Sequence, residues 1–323
     1  APELGLFVAV AGNGTGNRVM TSPDGITWTS RTSAADLVWS SVCWAPELGL
    51  FCAVAASGTS NRVMTSPDGI TWTSRTSAAD NGWQSVCWAS EIGLFVAVAS
   101  SSATAGTKIM TSPDGINWTL RSYPIDPVWN SVCWSAELSL FVVVGVSGNV
   151  ITSSDGITWT SRTAASNSFW GGVCWSSELG LFCAVGYSGV LMTSPDGITW
   201  TSRTAATNND WWAICWSAEL GLFVAASQSG TGNRVMTSSD GITWTSRTSA
   251  SDNNWTSICW ADELYMFIAV SKSGTYSISQ VICPVSGLIS ETVDLIPLSI
   301  SVSPIFKLSF NYKVVNSSVN SQY

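Results

Sequence analysis

The side chains of this chain that are most able to bind a ligand recur at fixed places. A tryptophan that opens a short apolar run occurs six times, at Trp39, Trp83, Trp129, Trp170, Trp211 and Trp255. An aspartate stands three residues before four of these tryptophans, at Asp36, Asp80, Asp126 and Asp252. Indole rings can stack on sugars, and carboxylates can bind sugar hydroxyls or Ca²⁺. These two sets are therefore the predicted ligand-binding residues.

Both sets also have a structural interpretation. Aromatic residues that recur in repeats commonly fill the core, and an aspartate in a loop commonly accepts hydrogen bonds from its own turn. A Ca²⁺ site needs about six to eight converging oxygens. The sequence alone leaves both interpretations open, a ligand-binding ring or a set of core and turn residues.

The ligand-binding residues belong to a repeat that carries the motif Thr-Ser-Pro-Asp-Gly-Ile-Thr-Trp. Six copies begin at residues 21, 65, 111, 152, 193 and 237, and their aspartates are Asp24, Asp68, Asp114, Asp155, Asp196 and Asp240. Successive aspartates are 41 to 46 residues apart. A period of this length predicts a repeat architecture.

Each repeat contains four short apolar segments separated by turns. In the second repeat they are residues 39–44, 50–55, 62–65 and 70–75. Val, Ile, Thr, Phe and Trp dominate these segments and favour strands, and four strands in about 40–45 residues are typical of a propeller blade. The second segment recurs seven times. The sequence therefore predicts an all-β propeller with seven four-stranded blades, the last of which is degenerate because Ser286 replaces the motif aspartate.

The repeats predict a propeller over residues 1–294 and a non-repeat β extension over residues 295–323. The segment 305–315 has the composition of a strand that either completes the first blade or docks to a partner. The stretch of sequence that opens the chain at Ala1 occurs again at Ala45, in the middle of a repeat. We therefore expect a natural polypeptide that is longer upstream or was cleaved there.

Composition argues against several classes of partner. The net charge is −8 with only 13 Lys and Arg, so no nucleic-acid partner is expected. No apolar stretch approaches the roughly 18 residues of a membrane span, so no membrane insertion is expected. The chain has nine Cys and no His. Six Cys share one repeat position, which favours free thiols. Free thiols in turn favour synthesis in a reducing cytoplasm and no classical secretion. Neither zinc nor another cofactor is predicted.

The segment Ser22-x-Asp24-Gly25-x-Thr27-Trp28 resembles the Asp-box, or BNR-type, repeat of sialidase-like β-propellers, with one residue fewer between Asp and Gly. The resemblance covers residues 1–290. It implies that the box is the turn between the third and fourth strands of a blade, where Asp and Ser cap the turn and Trp packs into the blade. Near-identical tandem repeats of this kind also resemble those of uncharacterised phage and giant-virus proteins.

The resemblance raises an enzymatic hypothesis as well. Sialidase-like enzymes need three arginines that clamp a carboxylate, a tyrosine nucleophile with a glutamate partner, and an aspartic acid. Six arginines share one repeat position here, Arg31, Arg75, Arg121, Arg162, Arg203 and Arg247. A catalytic centre brings unlike groups together, whereas repeated residues spread around a ring. We therefore predict that the chain is not an enzyme.

The loops before the first segment and after the second segment differ from repeat to repeat, and both sets lie at one end of an up-and-down blade. Loops on a rigid scaffold are where binding usually occurs. The predicted function is recognition or assembly through this face, as a structural or surface component of a virus particle with protein partners. The alternatives are a lectin-like propeller that binds glycans and, third, a sialidase-like hydrolase.

Overall fold

The protein is described here from a computed structural model, which covers residues 1–102, 106–271, 277–282 and 295–299. Nearly all of its regular structure is β-strand, with four short 3-10 turns at Pro2–Leu4, Pro46–Leu48, Ser90–Ile92 and Tyr187–Gly189. In the part of the chain that is described, no helix has the length and apolar character needed to cross a membrane.

The described strands form seven antiparallel sheets, each built from strands that are consecutive in the chain. The first sheet has three strands, β1 (Phe7–Val10), β2 (Val19–Ser22) and β3 (Thr29–Arg31). The other six have four strands each: β4 (Trp39–Ala45), β5 (Leu50–Ala55), β6 (Val63–Ser66) and β7 (Thr73–Arg75); β8 (Gly82–Ala89), β9 (Leu94–Ser101), β10 (Ile109–Ser112) and β11 (Thr119–Leu120); β12 (Trp129–Ser135), β13 (Leu140–Gly145), β14 (Asn149–Ser153) and β15 (Thr160–Thr163); β16 (Trp170–Ser176), β17 (Leu181–Gly186), β18 (Val190–Ser194) and β19 (Thr201–Thr204); β20 (Trp211–Ser217), β21 (Leu222–Ser227), β22 (Val235–Ser238) and β23 (Thr245–Arg247); β24 (Trp255–Ala261), β25 (Met266–Ser271), β26 (Ser277–Ile282) and β27 (Leu295–Ser299).

This architecture is a β-propeller. The inner strands β4, β8, β12, β16, β20 and β24 lie next to one another, and each complete blade is named here by its inner strand. The prediction of seven four-stranded blades is wrong, because the described structure has six. The count rested on the second segment, which recurs seven times, but the first copy has no Trp-initiated segment before it. Within the described residues, its sheet therefore contains only β1, β2 and β3.

The β24 blade takes its outer strand, β27, from beyond the predicted repeat boundary at residue 294. The backbone of β27 pairs antiparallel with β26. The motif remnant around Ser286 and the predicted strand at residues 305–315 lie outside the described residues.

The sheet β1–β3 lies between the β24 blade and the β4 blade. On one side, Phe7 and Trp28 pack against Met266 and Ile268 of the β24 blade. On the other side, its apolar side chains join a cluster with residues of the β4 blade, including Trp39. The sheets therefore close into a ring even though one of them has only three strands.

The repeated motif forms the turn between the third and fourth strands. In the first copy the Asp24 carboxylate accepts the backbone N–H groups of Ile26 at 2.8 Å and Thr27 at 2.7 Å. The Ser22 hydroxyl donates to the same carboxylate at 3.0 Å and accepts the N–H of Gly25 at 2.8 Å. Gly25 has a φ of 69°, a left-handed conformation that favours glycine. The motif thus satisfies its own backbone and fixes a tight turn.

The same turn also packs on the preceding blade. At Gly156, a Cβ atom would lie 2.6 Å from the Leu94 side chain of the neighbouring β8 blade. The Trp159 indole donates to the Gly156 carbonyl at 3.1 Å and lies 6.1 Å from the Phe141 ring, measured between centroids. Glycine is required here for close approach as well as for its φ.

The motif aspartates predict acid sensitivity. Partial burial acts to raise the pKa of Asp114, but hydrogen bonds from Asn117, Ile116 and Ser112 outweigh it and lower the pKa to about 2. A carboxyl with a depressed folded-state pKa contributes stability above its ordinary pKa near 3.8, and this contribution is lost as the pH falls through the folded value. We expect the melting temperature to fall between about pH 4 and pH 2.

The variant Asp114→Asn should melt about 2 °C lower at pH 7, a modest loss because solvent partly screens this half-buried group. It should also show a shallower fall in melting temperature with acid than the wild type. Calorimetry from pH 7 to pH 2 measures both quantities. Identical pH profiles for the variant and the wild type would contradict the assignment.

Candidate functional site

The predicted ring of tryptophans is buried. Trp39 and Trp255 are 3% and 1% exposed, and Trp83, Trp129, Trp170 and Trp211 are fully buried. Each indole fills the space between adjacent blades, as Trp129 does in a cluster with residues of the β8 blade. The stacking interpretation therefore does not hold for these six residues, because none presents a ring face to a ligand. Both faces of each sheet are covered by neighbouring sheets, and the core interpretation accounts for these indoles.

Three of the four predicted aspartates join two loops of one blade. The Asp36 carboxylate accepts the backbone N–H of Gly16 at 2.6 Å and lies 3.7 Å from the Arg18 guanidinium. The equivalent sets are Asp80 with Ser60 and Arg62, and Asp252 with Gly232 and Arg234. These aspartates hold the loop after the second strand against the loop that leads to the next inner strand.

Asp126 is also held by neighbouring groups, but its partners differ from those of the other three aspartates. Its carboxylate accepts the Tyr123 hydroxyl at 2.7 Å and pairs with the Lys108 ammonium at 3.0 Å. Partial burial acts to raise the pKa of Asp126, but Tyr123 and Lys108 outweigh it and lower the pKa. Among the described residues, no group of three or more His, Cys, Asp or Glu side chains is placed to hold a metal ion.

The repeated arginines lie on the outer part of the ring. Arg31 on β3 donates to the Thr21 hydroxyl of β2 at 2.9 Å. The same bond is made by Arg75, Arg121, Arg162, Arg203 and Arg247 to the motif threonine of their own blades. In six of the seven sheets, one such guanidinium links the strand before the motif turn to the segment after it.

The repeated glutamates connect neighbouring sheets. Each lies in the turn before the second strand of its repeat and accepts a hydrogen bond, 2.5 to 2.8 Å long, from the indole of the next sheet's inner strand. The pairs are Glu3–Trp44, Glu47–Trp88, Glu91–Trp134, Glu137–Trp175, Glu178–Trp216 and Glu219–Trp260. We call these contacts the Glu–Trp links. They tie one sheet to the next at the end of the ring opposite the variable loops.

One feature of the variable loops breaks the repeat symmetry. Phe169, Tyr187 and Trp212 form a partly exposed cluster, which we call the aromatic patch. The Phe169 and Tyr187 rings stack with centroids 4.2 Å apart, and Trp212 lies 5.6 Å from Phe169 and 6.0 Å from Tyr187. The patch lies where the loops at the start of the inner strands meet those at the end of the second strands. We call this end of the ring the loop face.

Local structure holds the aromatic patch in place. Tyr187 donates its backbone N–H to the Phe169 carbonyl at 3.0 Å. Trp212 is the second residue of β20 and lies at an irregularity in the register of β20 on β21. Such bulges redirect side chains. Burial raises the pKa of the Tyr187 hydroxyl and the Asp210 carboxylate raises it further, so the phenol stays protonated and can donate a hydrogen bond.

The repeats themselves carry a signal for the aromatic patch. At the position of Trp212 the other complete repeats carry Ser40, Gln84, Asn130, Gly171 and Thr256. At the position of Tyr187 the residues are small, aliphatic or polar in every other repeat. A large aromatic residue at a position that is otherwise small or polar marks a place where one blade differs from its neighbours.

Comparisons with known proteins show the fold. No family model matches this chain, and no curated protein matches it. YCF48 from Cyanidioschyzon merolae is 15% identical with a TM-score of 0.54, over 76% of this chain and 81% of that one. A chain of the Mitotic Checkpoint Complex is 13% identical with a TM-score of 0.60, over 80% and 77%. A chain of the Nidogen/Laminin Complex is 10% identical with a TM-score of 0.51, over 72% and 88%.

The structural neighbours and the sheet pattern together establish a β-propeller built from tandem repeats. This fold is generally a scaffold for protein interactions, and two of the three neighbours come from structures of protein complexes. At these identities the likeness extends to the fold alone.

Burial predicts different outcomes for two tryptophans of the same chain. Trp129→Ala should lower the free energy of unfolding by about 3–5 kcal/mol, because it opens a cavity between two blades. Trp212→Ala should lower the free energy of unfolding by clearly less, because the Trp212 ring is partly exposed. Urea denaturation of both variants measures the difference. Equal, small losses would show that Trp129 is not a core residue.

Proposed function

We propose that this chain is a non-enzymatic recognition or assembly module that binds a protein partner through its loop face. The observation that carries the proposal is the aromatic patch, an asymmetric cluster of three rings on a largely repetitive ring of blades. Its three rings come from two neighbouring blades, β16 and β20. A unique cluster supports one specific site, in contrast to residues that recur in every blade.

The composition of the patch suits a protein interface. Tyrosine and tryptophan are enriched among the residues that contribute most to binding, and they act best at the centre of a contact with a polar rim. The rim here includes Asp210, whose backbone N–H donates to the Ser229 hydroxyl at 2.7 Å and whose carboxylate accepts the Ser188 N–H at 3.1 Å. The polar groups beside the rings are thus held by their own loops, which lowers the entropy lost on binding.

The wider setting of the proposal follows from the resemblance of the repeats. Near-identical repeats of this type resemble those of phage and giant-virus proteins, so we propose a structural or surface component of a virus particle. Synthesis in a reducing cytoplasm is part of the proposal and is supported by the eight described cysteines, all of which are free thiols.

The absence of enzymatic activity is likewise a proposal. It is supported by the roles of the repeated charged groups. Six arginines bind threonines of their own sheets, and six glutamates accept indole N–H groups of the next sheet. Each of these charges is committed to a structural contact, and the members of each set stand in successive sheets.

The loop-face proposal predicts the behaviour of selected ligands. A displayed peptide library is panned on the wild-type chain, because such libraries preferentially find the energetically dominant patch of a surface. Binding of the selected peptides should weaken about tenfold or more for Trp212→Ala and for Tyr187→Ala. The matched control is Thr256→Ala, at the position of Trp212 in the β24 blade, which should bind as the wild type does.

A second control addresses the opposite face. Leu138 lies in the turn after β12 and is 41% exposed, and Leu138→Ala should leave binding unchanged. Peptides that bind equally to the Trp212 and Tyr187 variants but lose affinity for the Leu138 variant would move the site to the other end of the ring and end the loop-face proposal.

Glycan binding is the second candidate, and the same patch favours it, because partly exposed aromatic rings beside a carboxylate suit a sugar. A glycan array probed with the wild type and with Trp212→Ala distinguishes the two. Binding to defined glycans that is lost in the variant establishes a lectin with a single site. A folded protein that binds no glycan, together with patch-dependent peptides, leaves the protein-partner function.

A further inference from the structure

Five aspartates of the loop face lie in loops that lead to inner strands, and four of them have a cation from the same face. The nitrogen–oxygen distances of these four ion pairs are 3.0 to 3.8 Å. The pairs are Asp36–Arg18, Asp80–Arg62, Asp126–Lys108 and Asp252–Arg234. Each cation comes from the loop between the second and third strands of a repeat. An ion pair within the chain is therefore the usual state of an aspartate on this face.

Asp210 is the exception among these five aspartates. Its carboxylate accepts the backbone N–H of Ser188 at 3.1 Å, the same type of contact that Asp36 makes with Gly16. The loop that Asp210 contacts is the short turn Tyr187–Gly189, which contains neither lysine nor arginine. Among the residues that the structure describes, no cation forms an ion pair with Asp210. The contact between loops is thus kept, but the compensating positive charge is not.

The uncompensated carboxylate lies beside the aromatic patch. Asp210 is two residues before Trp212 in the chain, and its hydrogen-bond donor Ser188 directly follows Tyr187. Burial and, after it, the Asp210 carboxylate raise the pKa of the Tyr187 hydroxyl, so these two groups lie within electrostatic reach of each other. Asp210, Tyr187 and Trp212 are all half-buried. A negative charge and partly exposed rings therefore share one surface, where water screens the charge less than it does in the open.

The arrangement of the rings limits what can bind. The centroids of Phe169 and Tyr187 are 4.2 Å apart and the ring planes are inclined by 23°, so no group fits between them. A ligand can meet only the outer side of this stack or the ring of Trp212. A quaternary ammonium ion is recognised by rings that surround it, and a stacked pair does not provide such a cage. The patch instead suits a flat group.

A guanidinium fits these features better than the other cation of protein side chains. It is planar and weakly hydrated, it stacks on aromatic faces, and its fork of N–H donors matches the geometry of a carboxylate. One oxygen of Asp210 accepts the Ser188 N–H, and no described residue donates to the other oxygen. The ammonium of lysine is a strongly hydrated point charge, so it gains less from a flat ring.

We propose that the aromatic patch and Asp210 form a subsite for an arginine side chain of the protein partner. The guanidinium stacks on Trp212 and donates to the Asp210 carboxylate, while the apolar stem of the arginine covers the ring of Tyr187. The partner thereby supplies the cation that the other four loop-face aspartates take from their own chain. This inference rests on the proposed function, because it names the chemical class of the group that the loop face binds.

The test uses the peptides that a random displayed library yields on the wild-type chain. These peptides should share an arginine at one position of their alignment. Synthetic copies with citrulline at that position keep the planar shape and lose the charge. They should bind about tenfold more weakly, as expected for loss of a hydrogen bond between charged groups. Replacement of the arginine by lysine should also weaken binding, because lysine lacks the planar fork. Isothermal titration calorimetry measures each affinity.

The variant Asp210→Asn tests the protein side of the contact. Asparagine keeps an acceptor for the Ser188 N–H and removes the charge. The variant should bind the arginine peptide about tenfold more weakly and the citrulline peptide as the wild type does, because the two changes remove the same interaction. The matched control is Asp252→Asn, which changes the charge of the same face equally at a carboxylate that already pairs with Arg234. It should leave the affinity unchanged, and urea denaturation shows that both variants are folded.

The outcomes separate this inference from the proposed function. Peptides that lose affinity for Trp212→Ala but share no arginine, or that bind Asp210→Asn as tightly as the wild type, would overturn the arginine subsite and leave the loop face as a protein-binding surface. Equal affinities of the arginine and lysine peptides would also overturn it, because a point charge would then suffice. If no selected peptide depends on Trp212 or Tyr187, the proposed function fails and the subsite fails with it.

Discussion

The fold depends on burial between sheets, because no single sheet has a core of its own. Both faces of a blade are apolar, and each cluster of the core combines side chains from two neighbouring sheets. Five indoles are essentially inaccessible to water in these contacts. A repeat that cannot bury its faces alone gains stability only by stacking on its neighbours. The motif turn and the Glu–Trp links act on the same junctions, so the chemistry repeated in the sequence serves mainly the contact between sheets.

The sequence predicted the parts of the structure that follow from local pattern. The period, the strands and the turn at Asp24 depend on residues close together in the chain, and the loop role of Asp36 was one of the two interpretations derived for it. The orientation of Trp129 was not predictable in this way, because both sheet faces are apolar in a propeller and alternation does not tell a core position from a channel position. The number of four-stranded blades was mispredicted because the count used the second segment, whose first copy has no Trp-initiated segment before it.

The aromatic patch was missed for a different reason. It arises where the ring departs from its own symmetry, and averaging over repeats hides such places. Trp212 directly follows Trp211 in the sequence, yet the register irregularity at the start of β20 places Trp211 in the core and leaves Trp212 partly exposed. In near-identical repeats, the residues that differ between copies are the ones that distinguish one blade from another.

The similarity of the junctions has a consequence for assembly. Successive blades present nearly the same indole, phenylalanine and glycine surfaces. A newly formed blade can therefore pack equally well against its neighbour in the chain, a blade several repeats away or a blade of another molecule. Only the short tether between consecutive blades makes the correct pairing faster. Refolding of the intact chain is therefore a competition between a first-order and a second-order process, and dilution or sequential emergence from the ribosome favours the native order.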